Sequence, residues 1–303
     1  MVYTVTINPA LDYHMEVAAP VFGEINRSTG ETVYPGGKGL NVSIVLTRLG
    51  VENVATGFAG GFIGEAIVHS AQAMGVRCDF VPVDKESRIN VKLHSRPETA
   101  FNSAGPRLTD ADLDRLLAKL APIGPEDYLV LSGNVPEEHA DWYARILTQL
   151  ASTGCCVVVD AMGDTLWDCL PFRPYLVKPN ISELGALYDF PDPSLEEAVS
   201  MAGQLRREGA QNVLVSMGAE GAFLLTEGDQ LLSAGAVLGP VVSTVGAGDA
   251  LAAGFLAGSL FCGHKTNALA MGVAAGCAAV RVSHLPQKQD IMSLLSKIEV
   301  TGG

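Results

Sequence analysis

Positive charge is scarce in this chain: 20 Lys and Arg stand against 33 Asp and Glu, a formal net charge of -13. A protein that holds nucleic acid or an anionic membrane through a general positive field needs the opposite balance, so neither is expected as a partner. Any anionic ligand must then be met by local groups. Long apolar runs are also missing. The mean hydropathy is +0.26, yet the most apolar stretches, 251–262 and 268–280, are short and studded with Gly and Ala. They fall below the ~18–20 apolar residues that a spanning helix needs. The opening MVYTVTINPALD has no basic region and meets an acid at Asp12, so neither a signal nor a transit peptide is read and a cytoplasmic location is expected. The six cysteines form no CxxC pair and the six histidines no HxxxH pair, which favours buried thiols over a structural transition-metal site.

What the sequence does have is alternation. Short, often β-branched runs recur between helix-like stretches at 3–7, 53–59, 128–132, 155–160, 175–178 and 212–216. That pattern predicts an α/β fold with a mostly parallel sheet flanked by helices. Several runs end in polar or small residues, namely Asn8, Ser132, Asp160, Asn180 and Ser216 with Gly218. Ligands bind at such strand ends in open α/β folds. SRINVKLHS, 87–95, differs: Ile89, Val91 and Leu93 alternate with Arg88, Asn90, Lys92 and His94, as in a half-exposed strand. With the polar stretch near 12–34 it predicts a small sheet standing off the main body. We therefore expect one domain over 1–303 with a lid from about 12–34 and 87–105. The tail KIEVTGG is expected to fray.

Four local patterns carry chemistry. In STVGAGDALAAGF, 243–255, Gly246, Ala247 and Gly248 precede Asp249 and a helical run. Backbone N–H groups at such a helix start favour an anion, and the glycines let backbone approach a ligand. In YPGGKGLN, 34–41, Gly36, Gly37 and Gly39 surround Lys38, which has little to pack against and is placed to meet a phosphate; Asn41 follows. Neither a Walker A loop nor a GxGxxG after a strand is present, which weighs against Walker NTPases and dinucleotide dehydrogenases. In KPNISEL, 178–184, Asn180 and Glu183 have the spacing of a capping box, and their oxygens could also lie near a hydrated Mg²⁺. In VSMGAEGAFLL, 215–225, a strand ending in Ser216, Gly218 and Gly221 precedes a second apolar run, as in a β-hairpin.

Taken in this order, TINPALD, PGGKGLN, NxxE and STVGAGDALAAG resemble the ribokinase-type, or PfkB, sugar kinase family over essentially the whole chain. NPALD, GGKGLN, SRINVKL and SGNVP, 132–136, are most similar to its 1-phosphofructokinase and tagatose-6-phosphate kinase branches. Ala250, where Ser is common, and Asn134, in place of Ser in the SGSLP form, depart from that pattern. The resemblance implies a ribokinase-like fold and ATP-dependent phosphorylation of a ketohexose phosphate, foremost fructose 1-phosphate to fructose 1,6-bisphosphate. Tagatose 6-phosphate and fructose 6-phosphate are the rival substrates, and a catalytically silent sugar-phosphate sensor is the rival of another class. It further implies that Asp249 is the base and that Gly246, Ala247 and Gly248 hold the transferred group. Asp12, Gly36, Gly37 and Asn41 are assigned to the sugar, and Lys38 and Arg88 to the phosphate it already carries. Asn90 and Lys92 would complete that contact. Lys178, Asn180, Ser216, Gly218, Gly221, Gly248 and Gly276 would line the ATP site, with Asn180 and Glu183 near Mg²⁺. A homodimer through the lid is a further expectation, raised by the apolar face of Ile89, Val91 and Leu93.

Overall fold

The chain begins on β1 (Val2–Thr6), leaves the main body for β2 (Ala10–Glu16) and β3 (Gly30–Gly36), and returns through α1 (Lys38–Leu49), β4 (Asn53–Gly60) and α2 (Gly61–Ala73). Two short strands, β5 (Arg77–Cys78) and β6 (Val81–Val83), lead to a second excursion, β7 (Arg88–His94) and β8 (Thr99–Asn102). Regular alternation follows: α3 (Asp110–Leu120), β9 (Tyr128–Ser132), α4 (Trp142–Leu150), β10 (Cys156–Asp160), α5 (Gly163–Cys169), β11 (Leu176–Val177), α6 (Ile181–Ala186), α7 (Leu195–Arg207) and β12 (Val213–Ser216). The last part runs β13 (Ala222–Leu225), β14 (Leu231–Ala234), α8 (Ala247–Cys262), α9 (Lys265–Ala279), α10 (Lys288–Leu295) and β15 (Val300–Gly302). These elements come from a computed structural model that describes residues 1–95 and 99–302; residues 96–98 of the expected lid segment and Gly303 lie outside them.

The large sheet has 11 strands in the order β15-β14-β13-β12-β11-β10-β9-β1-β4-β5, with β6 also on β4. It is parallel from β12 to β5 and antiparallel from β12 to β15. Strand alternation sorts its side chains into two cores. Val130, Val158, Leu176 and Leu214 face one core, with α1, α8 and α9, while Leu129, Leu131, Val157, Val159, Val177 and Val215 face the other, with α3, α4 and α7. The runs read from sequence are buried on both faces, which is why they lack polar alternation.

Small residues set the α8–α9 packing. A side chain at Gly254 would strike the backbone of α9 at Met271, and one at Gly258 would strike Ala268. The Gly and Ala content of 251–262 and 268–280 therefore permits close helix contact. Among the described residues no helix is long and apolar enough to cross a membrane.

The small sheet has the order β3-β2-β7-β8. Its alternation separates two faces: Asp12, Arg88, Asn90 and Lys92 point one way, and Leu11, Tyr13, Ile89, Val91 and Leu93 the other. Two expectations need correction. The tail does not fray at 300–302, because Val300, Thr301 and Gly302 pair with Ala234, Ser233 and Leu232 and give the sheet its last strand. Of the cysteines only Cys169 and Cys277 are buried; Cys78, Cys155 and Cys156 are half-buried, and Cys262, at the end of α8, is exposed.

Candidate active site

Strand ends, two helix starts and the small sheet converge on a cavity of about 760 Å³. Asp249 lies in the first turn of α8, whose N–H groups have no acceptor within the helix. The turn is made possible by Gly246, which takes a left-handed conformation at φ 78° that a side chain would disfavour. The Asp249 carboxylate is 6% exposed and accepts a hydrogen bond of 2.8 Å from the Asn41 side chain on α1. Burial and the nearby Asp160 charge push its pKa up to about 6, against the opposing pull of Asn41, Lys178 and Lys38. A carboxylate with that pKa is charged at neutral pH and basic enough to take a proton from a hydroxyl.

Beside it stands an ion network that strand-end reasoning located only in part. Asp160, at the end of β10, is 2% exposed and meets Lys38 Nζ at 3.1 Å and Lys178 Nζ at 3.3 Å. The Ser132 hydroxyl, from the end of β9, donates to it at 3.2 Å. Desolvation alone would raise the Asp160 pKa, but the two lysines override it and the net direction is down. Burial likewise works against Lys38, and the charges of Asp160, Glu183 and Asp249 with the Asp160 hydrogen bond reverse it to a raised pKa. Lys178 is 4% exposed, and its ammonium lies close to where a side chain at Gly248 would project. One buried and one half-buried cation, Lys178 and Lys38, are thus held beside the start of α8 by one carboxylate. Asp160 carries this arrangement although motif reading gave it no role; its place at the end of the CCVVVD run was the available signal.

Asn180 and Glu183 form the capping box read from spacing: Asn180 Oδ1 accepts from the Glu183 N–H at 2.7 Å, and Glu183 Oε2 from the Asn180 N–H at 2.8 Å. The other Glu183 oxygen is 3.9 Å from Lys38 Nζ, so the cap leaves a carboxylate oxygen turned to the network.

The far end of the cavity is built by the small sheet. Asp12 accepts from Asn90 Nδ2 at 2.9 Å and lies 3.7 Å from Lys92 Nζ. Gly36 packs directly beside it, and a side chain there would displace the Asp12 carboxylate. Arg88, Asn90 and Lys92 line the cavity with Gly37, Lys38 and Asn41, whereas Asp12 and Gly36 lie behind that lining. Arg88 donates to the backbone carbonyls of Asn8 and Ser103, each at 3.2 Å. Burial lowers its pKa and Asp12 opposes that shift. Lys38 and Arg88, paired in the sequence reading, thus keep different company. Lys38 faces Asp160, Glu183 and Asp249; Arg88 faces Asp12.

A second cavity, of about 600 Å³, adjoins the first and shares Asn180, Ser216 and Gly248 with it. Gly218 and Gly221, from the β12–β13 turn, and Ala247 and Gly276 line it as well. Its remaining walls are largely apolar, including Val237, Leu238, Val273 and Val280. Thr6, Asn8, Asn102 and Asn134 also border the first cavity; Thr6 opens the TINPALD motif without having been given a role, and no sequence motif marked Asn102.

A catalytic-type carboxylate at a glycine-built helix start, fronted by lysines and joined to an apolar slot, matches what a family comparison finds over residues 6–288: the pfkB family carbohydrate kinase model. The chain belongs to this family. It is 37% identical to a 1-phosphofructokinase of Bacillus subtilis, over 99% of both chains. It is 34% identical to a D-tagatose-1-phosphate kinase of Bacillus licheniformis, again over 99% of both. A crystal structure of a putative phosphofructokinase from Staphylococcus aureus superimposes with a TM-score of 0.88 at 35% identity, covering 100% of this chain and 99% of that one. As a pfkB carbohydrate kinase the chain is a phosphotransferase, and its architecture is the ribokinase-like one expected from the motifs.

Proposed function

We propose that this chain transfers the γ-phosphate of MgATP to a ketohexose 1-phosphate, with fructose 1-phosphate the leading substrate and fructose 1,6-bisphosphate the product. The observation that carries the mechanism is Asp249: buried, raised to about 6, held by Asn41 and set at a helix start that favours an anion. The C6 hydroxyl oxygen attacks the γ-phosphorus as its proton passes to Asp249; the bond from phosphorus to the bridging oxygen breaks and ADP leaves. Phosphoryl transfer asks mainly for positioning and charge, which the first-turn N–H groups of α8 and the ammonium groups of Lys38 and Lys178 supply. The placement of Lys38 supports a role at the transferred phosphate. Arg88 and Lys92 then take the phosphate already on the sugar, with Arg88 suited by its fork of donors. Asn90 has its amide committed to Asp12 and fits a sugar hydroxyl better than a phosphate. The adjoining apolar slot takes the nucleoside.

The family's chemistry implies Mg²⁺. Among the described residues there is no cluster of three or more His, Cys, Asp or Glu able to hold an ion. The available donors, Glu183 with Asn180 beside it, fit a hydrated ion carried chiefly by the triphosphate. Bound there, it would neutralise charge on the β- and γ-phosphate oxygens.

D-tagatose 1-phosphate is the second reading, favoured by the Bacillus licheniformis relative. It carries its phosphate on the same carbon as fructose 1-phosphate and differs at C4, so it replaces tagatose 6-phosphate as the main rival. Coupled ADP release with fructose 1-phosphate, tagatose 1-phosphate, fructose 6-phosphate and tagatose 6-phosphate tests the assignment. A kcat/KM highest for fructose 1-phosphate supports it. A 6-phosphate preference would reverse the sugar's orientation, and tight binding without turnover would favour a sensor.

The small sheet acts in this reading as a lid that excludes water, and two lids pair in a homodimer. Support comes from its outer face, where Val33 and Phe101, 45% and 51% exposed, flank Tyr13 and Val91 in register. Light scattering that gave a monomer at working concentrations would end the dimer proposal. ATP supply places the reaction in the cytoplasm.

A further inference from the structure

We propose that Arg281 is a positioning residue for the phosphate donor, acting as a clamp on an irregular wall of the nucleotide slot. The inference rests on the reading of that slot as the nucleoside site. The wall is part of the connection 235–246 between β14 and α8. It buries little of its own apolar surface: Leu238 is 77% exposed and Val241 66%. Side-chain burial therefore does little to hold it, and a segment with so little burial opens readily unless polar links fix it.

Those links come from the end of α9 and the residues just after it. Arg281 Nη2 donates to the carbonyl oxygens of Val237 at 2.9 Å and Leu238 at 3.1 Å. Its guanidinium lies against Gly239, where a Cβ would stand 2.8 Å from Cζ. Beyond it, the Val242 N–H donates to the Val280 carbonyl at 2.7 Å. From inside the slot, the Cys277 thiol meets the Val237 backbone. Both sides of the slot are thus tied to one helix end, and Arg281 supplies the links nearest the base-facing residues Val237 and Leu238. Arg281 reaches no reacting atom. Its effect is on the fraction of molecules whose slot is formed before nucleotide arrives, and apparent affinity falls in proportion to that fraction.

Steady-state kinetics of Arg281→Met, which keeps an aliphatic stem and loses the donors, test this. With the wall formed about a tenth of the time, KM for MgATP rises about tenfold while kcat at saturating nucleotide and KM for the sugar phosphate stay within about twofold. Gly239→Ala is the second variant: it leaves Arg281 in place, pushes the guanidinium away, and should give the same split if Arg281→Met folds poorly. Hydrogen exchange over 236–243 without nucleotide should quicken in both and slow again with MgATP. Unchanged exchange with unchanged KM would remove the clamp. Faster exchange with unchanged KM for MgATP would instead remove the nucleoside from this slot. A fall in kcat together with a rise in both KM values would show a general structural defect and overturn the positioning role.

Discussion

The two adjoining cavities are built on opposite principles. The first is bordered by Asp249, Glu183, Lys38 and Lys178, which share one partly buried network with Asp160; the second offers valines, leucines and glycines. Among the described residues they share Asn180, Ser216 and Gly248, which stand at the boundary between charge and grease. In the proposed reading, the contrast teaches that phosphoryl transfer is prepared by fixed charges largely withdrawn from water, whereas a nucleoside is held by shape. Substitutions in the charge network around Asp249 should therefore strike turnover, and those in the second cavity should strike apparent affinity for nucleotide.

The largest effect expected is from Asp249→Asn. Loss of the base should cut kcat by about 10²- to 10⁴-fold with sugar-phosphate binding kept, read by turnover and calorimetry. Near-normal turnover would break the comparison. Next, Arg88→Ala should raise KM for the sugar phosphate by about 10- to 100-fold, leaving KM for MgATP unchanged, because losing a half-buried charged donor to a phosphate costs about 1.5–3 kcal/mol. Lys38→Met should instead lower kcat more than it raises either KM. Equal behaviour of the two variants would return Lys38 to the sugar phosphate.

The pH profile gives a third, smaller effect. The base must be unprotonated, so kcat/KM should fall about tenfold per pH unit below about 6 and level off above it. The same raised pKa affects stability with the opposite preference. The native carboxyl binds its proton more tightly than the unfolded one, so between the ordinary value of 3.8 and about 6 the folded state loses stability as pH rises. Removing the charge should recover on the order of 1–3 kcal/mol at pH 8, a rise of a few degrees in Tm for Asp249→Asn, and none at pH 3. An unchanged or lower Tm at pH 8 would mean that the lysines fully offset the buried charge.

Much of this was legible before any coordinates. Core strands announced themselves as short β-branched runs, and GAGD and PGGKG announced two glycine-built helix starts. The Asn180–Glu183 cap followed from spacing alone. Asp160 was visible only as the polar end of a strand, because nothing local says that its partners are Lys38 and Lys178, which lie far apart in the chain. Lys38 was read with Arg88 for the same reason: both are cations near glycines or a strand, and sequence does not say which carboxylate each will face. The tail escaped because three residues of edge strand carry almost no periodic signal.

The sequence by itself determined the class of fold, the family and the residue proposed as base, since these rest on local pattern and on motifs whose backbone needs are met within a few residues. Tertiary structure alone decided which charges share a network, that Asp249 is buried enough for its pKa to reach about 6, and that Arg281 spans two sides of an apolar slot. Burial and through-space charge are sums over neighbours brought from distant parts of the chain, and only the packed fold selects those neighbours.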